Sequence, residues 1–289
     1  MNGHEEQRMD SGKSGEQEVK LKEALSKIKH RIIVVSGKGG VGKSFVTANL
    51  AMAFALKGYA VGVLDADIHG PSIPKMLGLR GEVPIVSPVG VFPVIGPLNI
   101  KVMSMDFLIP SDEMPVLWRG PLKISALSQF VVDVVWGDLD VLFVDLPPGT
   151  GDEALSIAQM IQPDFAIVVT IPSEVSKLIV KKVVTFLKVL NVPVLGVVEN
   201  MSYFTCPRCG SRYELLGSGG GKRLAEEMGV PFLGAIPMDS SINEACDKGV
   251  PYVVKSPDSE ASKLFFEVVE RFEHEIEKRK RETSVSSRS

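Results

Sequence analysis

The sequence predicts a single α/β domain, a mostly parallel, twisted sheet covered by helices on both faces. Apolar runs rich in Val and Ile alternate with stretches of helical composition from residue 31 onward, which is how strands buried between crossover helices read. A glycine-rich octapeptide, Gly37 to Ser44, separates the first such run from the first helix, and acidic residues close two later runs. Sheets of this kind bind ligands at the carboxyl ends of their strands, and all three features fall there. The 289 residues, 45% of them hydrophobic, suffice for one large core with small appendages.

Residues 1–18 are rich in Gly, Ser, Glu and Lys and read as a disordered polar tail. Leu21, Leu25 and Ile28 suggest a short helix. Ile32-Ile33-Val34-Val35 marks strand 31–36, and helix 43–57 follows the octapeptide. Strand 60–65 ends in Asp65, and proline-rich 84–97 reads as an extended connection with a short hairpin. Strand 99–104, helix 121–136 and strand 139–145 come next, the last a Val141-Leu142-Phe143-Val144 run ending in Asp145. Helix 153–162, strand 165–170, helix 174–190, strand 194–199, helix 219–228, strand 232–236 and helix 240–248 continue the alternation. From Ser259 to about Arg281, residues Leu264, Phe265, Val268, Val269, Phe272 and Ile276 share one face, which predicts an amphipathic helix over 259–281 docked on the domain. Residues 282–289 read as a second polar tail, leaving 19–258 as the main domain with a Cys-x-x-Cys loop at 203–213.

A formal net charge of -3 and a pI near 5.9 give no broad electrostatic footprint for nucleic acid. No apolar run approaches the roughly 20 residues that span a bilayer, and the polar amino terminus has no signal-peptide core. The expectation is a soluble, cytoplasmic protein. The basic end of helix 259–281, Lys278-Arg279-Lys280-Arg281, could touch acidic lipids, but glutamates interleave with the lysines of its polar face and argue against a membrane role. Three cysteines, two of them paired, suit a reducing compartment and a metal or redox role.

The octapeptide Gly37-Lys38-Gly39-Gly40-Val41-Gly42-Lys43-Ser44 fits the phosphate-binding loop pattern between a strand and a helix, which makes the fold a P-loop NTPase and a nucleoside triphosphate the first ligand to consider. Its glycines let successive N–H groups converge on phosphate oxygens, and the helix that opens near Gly42 adds its positive end. Lys43 would reach the β- and γ-phosphates, and the Ser44 hydroxyl would ligate Mg2+. With Phe45 these residues are the candidate nucleotide-binding set. Lys38 is not required by the standard loop. A second lysine there resembles the deviant loop of the MinD, ParA and nitrogenase iron-protein group, where it crosses a dimer interface to the partner's nucleotide; a solvated loop lysine is the alternative.

Asp67, just beyond strand 60–65, is the candidate to orient the attacking water, with helix capping as the alternative. Asp65 would support the metal or the loop, and His69 reads as a loop residue. Asp145, ending an apolar strand, has the form of a Walker B acid that holds Mg2+ through a water. The segment Asp145-Leu146-Pro147-Pro148-Gly149-Thr150-Gly151-Asp152 allows Gly149 to present its N–H to the γ-phosphate and would respond to hydrolysis. Asn200, after strand 194–199, is placed to hydrogen-bond a base, and Pro237, after strand 232–236, to pack on it.

Cys206-Pro207-Arg208-Cys209 offers two thiolates to one soft metal centre. A tetrahedral zinc or an iron-sulfur cluster usually takes four, so a symmetric dimer could supply the set across its two-fold axis. A redox pair and a structural zinc site are the alternatives. Cys246 reads as a small apolar helix residue.

Across roughly residues 30 to 255 the chain resembles the Mrp/ApbC family of P-loop iron-sulfur cluster carrier ATPases. The resemblance rests on GKGGVGKS at 37–44, DADIHGPSIPKMLG at 65–78, WRGP at 118–121, DLPPGTGD at 145–152, ENMSYFTCPRCG at 199–210 and IPMD at 236–239. It implies a homodimeric MgATPase that binds a labile 4Fe-4S cluster between the Cys206 and Cys209 pairs of two subunits and passes it to apo iron-sulfur proteins. It also implies that Lys38 is the signature lysine, that Lys43 and Ser44 bind phosphate and Mg2+, and that Asp67 and Asp145 serve hydrolysis. Residues 1–30 lack the cysteine cluster of some eukaryotic relatives, so the chain resembles the shorter prokaryotic type. The alternative is a MinD- or ParA-like positioning ATPase with structural zinc on its cysteines.

Overall fold

A computed structural model describes residues 21–68, 70–108 and 131–286. The expected terminal tails (1–18 and all but the first residues of 282–289), His69, the WRGP motif and the first ten residues of expected helix 121–136 therefore lie outside the described residues, although residues 282–286 fall within them and are helical.

The sheet is built from strands β1 (Ile28–Ser36), β2 (Val61–Asp65), β5 (Val94–Ile95), β6 (Lys101–Ser104), β7 (Leu139–Asp145), β8 (Phe165–Thr170), β9 (Val194–Glu199) and β12 (Phe232–Ala235). Their order is β12-β9-β8-β1-β7-β2-β6-β5, and every pair is parallel except β5 with β6. Successive residues of a strand face opposite ways, and the burial pattern follows that rule. Ile32 and Val34 of β1 join Phe143 of β7 in a core covered by helices α1 (Lys43–Leu56) and α8 (Glu260–Ser286). Ile33 and Val35 join Leu142 and Val144 in a second core. The short helices α2 (Ile73–Met76) and α7 (Tyr252–Lys255) pack on the first core, and α3 (Asp152–Ile161), α4 (Glu174–Val189) and α5 (Gly220–Met228) cover the second. The fold is the expected α/β architecture, with the runs that read as two-sided strands buried on both faces.

Four boundaries differ from the sequence expectation by two residues or more. The helix ends by residue 26, and β1 starts at Ile28, because Ile28 is buried and pairs in register with Leu139. Strand β6 starts at Lys101, since Leu98 and Asn99 take positive φ in a tight turn. Expected helix 121–136 has given way to extended chain by Val134, where Val91 takes the backbone hydrogen bonds: Val91 N donates to Asp133 O and Val135 N to Val91 O. The expected hairpin is present as β3 (Ile85–Ser87) and β4 (Gly90–Phe92). Helix α8 runs past residue 281 to Ser286, with Leu264, Phe265, Val268, Val269 and Phe272 buried. Among the described residues no helix is long and apolar enough to cross a membrane.

Candidate functional site

The glycine-rich loop joins β1 to α1 at the carboxyl edge of the sheet. Gly40 and Gly42 hold φ of 77° and 82°, a region open to glycine and closed to most side chains. This turn aims Lys43, the first residue of α1, back toward the ends of β2 and β7. Its ammonium lies 2.5 Å from Asp145 Oδ2 and 3.7 Å from Asp67 Oδ2. Ser44 Oγ donates to the same Asp145 oxygen at 2.6 Å, and Thr47 Oγ1 donates to the other at 2.6 Å. Lys43, Ser44, Asp67 and Asp145 therefore meet, as their spacing predicts. Thr47 lies outside the phosphate-loop pattern; one helical turn beyond Lys43, it shares that face of α1.

The hydroxyl of Ser44 and the carboxylate of Asp145 are adjacent hard oxygens, a donor set that suits Mg2+. Asp65 is fully buried beside Asp145 in the register of β2 and β7. Its carboxylate accepts from Ser104 Oγ at 3.0 Å and from the N–H groups of Ser72 and Ile73 at 3.1 and 3.3 Å. It organises the loop after β2. Burial first, and the charge of Asp145 second, push its pKa up to about 7.

Two expected nucleotide contacts are engaged elsewhere. The Gly149 N–H, expected to face a γ-phosphate, donates to Ser36 O at 2.8 Å and staples the segment after β7 to the end of β1. The Asn200 amide, expected to bind a base, donates through Nδ2 to Val41 O at 2.9 Å. It packs so closely on Gly42 that a Cβ there would collide with it. Asn200 is thus a clamp on the phosphate loop. It still lines a cavity of about 480 Å3, together with Gly42, Phe45, Met201, Phe204 and Pro237. The expected base contacts Asn200 and Pro237 share that wall with the start of α1. Cys246, on helix α6 (Ser240–Asp247), also lines it, and burial pushes its thiol pKa up.

Lys38 is half-buried, its carbonyl accepting from Ser36 Oγ at 3.0 Å, and among the described residues its side chain makes no ion pair.

Cys206 and Cys209 occupy the turn of a hairpin formed by β10 (Phe204–Thr205) and β11 (Arg212–Tyr213). Strands this short carry no periodicity, so the sequence alone predicts only a loop here. The turn closes through Cys206 N to Ser211 O and Gly210 N to Cys206 O, both 2.9 Å. Cys206 is half-buried and Cys209 exposed. Ser211, whose hydroxyl lies 3.4 Å from Cys209 Sγ, draws that thiol below its ordinary pKa, with Cys206 adding to the effect. Among the described residues no cluster of three or more His, Cys, Asp or Glu side chains is placed to hold a metal. Two sulfurs are what one chain offers here.

A mostly parallel sheet and a phosphate loop with its strand-end acids define a P-loop NTPase. The chain belongs to the family described as "ParA: NUBPL iron-transfer P-loop NTPase", whose model matches residues 27–273. It is 55% identical to the iron-sulfur cluster carrier protein of Saccharolobus solfataricus over 256 residues, 88% of this chain and 86% of that one. The iron-sulfur cluster carrier protein of Methanocaldococcus jannaschii is 52% identical over 266 residues, covering 92% and 91%. Among solved structures, a nucleotide-binding protein in complex with ADP from Archaeoglobus fulgidus aligns with a TM-score of 0.71 at 44% identity, covering 80% of this chain and 91% of that one. The cell division ATPase MinD of Pyrococcus furiosus aligns with a TM-score of 0.64 at 26% identity, covering 85% and 99%.

Proposed function

We propose that this P-loop ATPase carries a labile 4Fe-4S cluster, held by Cys206 and Cys209 of two copies of the chain, and delivers it to apo iron-sulfur proteins in the cytoplasm. The observation that carries the reading is the thiol hairpin: two cysteines at an exposed turn, one with a lowered pKa, and no third ligand beside them among the described residues. A site that offers two thiolates binds weakly alone and can release its cargo when its partner moves. The relatives' names agree with this chemistry.

In the nucleotide cycle, Lys43 would leave Asp145 for the β- and γ-phosphates, exchanging one charge-assisted hydrogen bond for another. Ser44 and Asp145 would hold Mg2+, which would supply positive charge to the phosphates when bound. Asp67, 3.7 Å from Lys43, would orient the attacking water, and Lys38 would reach the partner's nucleotide. The Gly149 N–H would exchange Ser36 O for a phosphate oxygen, so that loss of the γ-phosphate returns the segment to β1.

The test is anaerobic reconstitution with iron and sulfide, read by absorption, metal content and oligomeric state. Wild type should gain a cluster chromophore and about four irons per dimer. Cys206→Ser and Cys209→Ser should each lose stable iron while binding ADP with unchanged affinity. Stoichiometric iron in both variants would refute the assignment; about one zinc per dimer without a chromophore would assign the pair to a structural site instead.

A further inference from the structure

Two cavities meet at one aromatic ring. The first, of about 480 Å3, is bordered by Asn200 and Pro237, the expected base contacts, and is read here as the nucleobase site. The second, of about 320 Å3, lies beneath the thiol hairpin and is lined by Thr205, Pro207 and Glu260 among others. Phe204, Pro237, Met238, Asp239 and Ser240 line both. Of these, Phe204 alone belongs to the hairpin: it opens β10, two residues before Cys206, and its side chain is half-buried.

The hairpin is braced as a unit. Phe204 and Thr205 pair with Tyr213 and Arg212, and Cys206 N closes the turn on Ser211 O. The Arg212 guanidinium stacks 3.3 Å above the Tyr203 ring, whose hydroxyl donates to Glu260. Met238 N donates to Tyr203 O at 2.6 Å, which ties the hairpin's base to the loop after β12. Chain stiffened in this way passes on a displacement at its root, because packed groups shift between discrete arrangements and do not deform smoothly.

We propose that Phe204 is a positioning residue that couples the nucleobase cavity to the thiol pair. A ring with open space on either side has two places to stand. A base entering the first cavity takes up room beside Phe204 and favours the arrangement in which the ring leans into the second. Because Phe204 is part of β10, the turn bearing Cys206 and Cys209 moves with it. Nucleotide state is thereby read out as a change in how the thiolates are presented, over a path two residues long. This inference rests on the nucleobase reading of the first cavity, and Cys246, which lines that cavity and does not belong to the hairpin, reports on it separately.

The experiment is alkylation of the metal-free full chain by iodoacetamide, with and without MgADP, the rate at each cysteine read from its own peptide by mass spectrometry. Arg208 separates Cys206 from Cys209, so a tryptic digest resolves both. In wild type MgADP should slow reaction at Cys246 and change the rates at Cys206 and Cys209 by about five-fold or more, the low end of ordinary coupling between sites. At MgADP concentrations that saturate each variant by equilibrium dialysis, Phe204→Ala should lose the response at the pair, while Phe204→Leu, which still fills the wall, should restore most of it. Protection of Cys246 with no response at the pair in wild type would overturn the coupling, as would a full response in Phe204→Ala. ADP that binds by equilibrium dialysis without protecting Cys246 would overturn the base site, and the coupling with it.

Discussion

The charge balance of the nucleotide site turns on one buried lysine between acids. Lys43 sits between Asp145 and Asp67, and behind them Asp65 is buried with hydrogen-bond donors but, among the described residues, no ion pair of its own. Desolvation therefore dominates at Asp65, and its pKa rises from 3.8 to about 7. The native state then holds a proton that the unfolded chain has released between those two values, so this group's contribution to stability falls as pH rises across that window. Above it the full penalty is present; below 3.8 there is none. Asp65→Asn carries no such charge. Relative to wild type, the variant should gain at least about 1 kcal/mol in unfolding free energy between pH 5 and pH 8, the equivalent of roughly one pKa unit. Urea unfolding at the two pH values reads the difference, and a gap independent of pH would contradict the assignment. At this scale the sequence was informative where spacing dictates geometry: a lysine and a serine opening a helix after a glycine turn, and an acid ending the neighbouring strand, have to meet. It was silent where a side chain turns to the backbone. Nothing in the order of residues says that Asn200 spends an N–H on Val41 or that Gly149 donates to Ser36.

Helix α8 shows how an element can be legible in its face and not in its end. The spacing of Leu264, Phe265, Val268, Val269, Phe272 and Ile276 defines the stripe; the first five are buried, and Ile276, nearest the end, is half-buried against the same core. The carboxyl terminus has no glycine or proline to stop it, and the helix continues to Ser286. The thiol hairpin is the opposite case. Its strands are two residues long, too short for any period, and its form comes from pairing across the turn and from Met238. Phe272 is where α8 locks to the sheet: its ring lies 5.1 Å from that of Phe54, 5.3 Å from His30 and 5.9 Å from Phe165. Truncating it should leave a cavity at the meeting of α1, β1 and β8. Phe272→Ala should cost about 3–5 kcal/mol in urea unfolding. Glu270→Ala, on the solvent side of the same helix with a long 3.8 Å contact to Lys57, should stay within about 0.5 kcal/mol. Equal losses at the two positions would mean that α8 does not hold the face as a packed stripe.

For the whole molecule, two features bear on the proposed second copy of the chain. The hairpin offers two thiols, and Lys38, half-buried in the phosphate loop, makes no ion pair among the described residues. If Lys38 reaches the partner's phosphates, its charge contributes to assembly and little to the affinity of one chain for nucleotide. Lys38→Ala should then weaken dimerisation in a non-hydrolysable ATP analogue by about 10- to 100-fold, the worth of a charge-assisted hydrogen bond of roughly 1.5–3 kcal/mol. Its affinity for ADP as a monomer should hold within about threefold, a difference of under 1 kcal/mol. Light scattering across a concentration series, beside ADP titration, separates the two quantities, and a dimer insensitive to Lys38 would remove the lysine from the interface. Linkage extends the argument to the cargo. If nucleotide and cluster both favour the same two-chain state, each must strengthen that state in the absence of the other, and by reciprocity each must tighten the other's binding by the same factor. Reconstituted, nucleotide-free protein should therefore dimerise more tightly than the metal-free chain, and Cys209→Ser should abolish that gain while keeping the response to nucleotide. Loss of both responses in Cys209→Ser would place the thiols in the interface itself, with the cluster no longer an independent stabiliser of it.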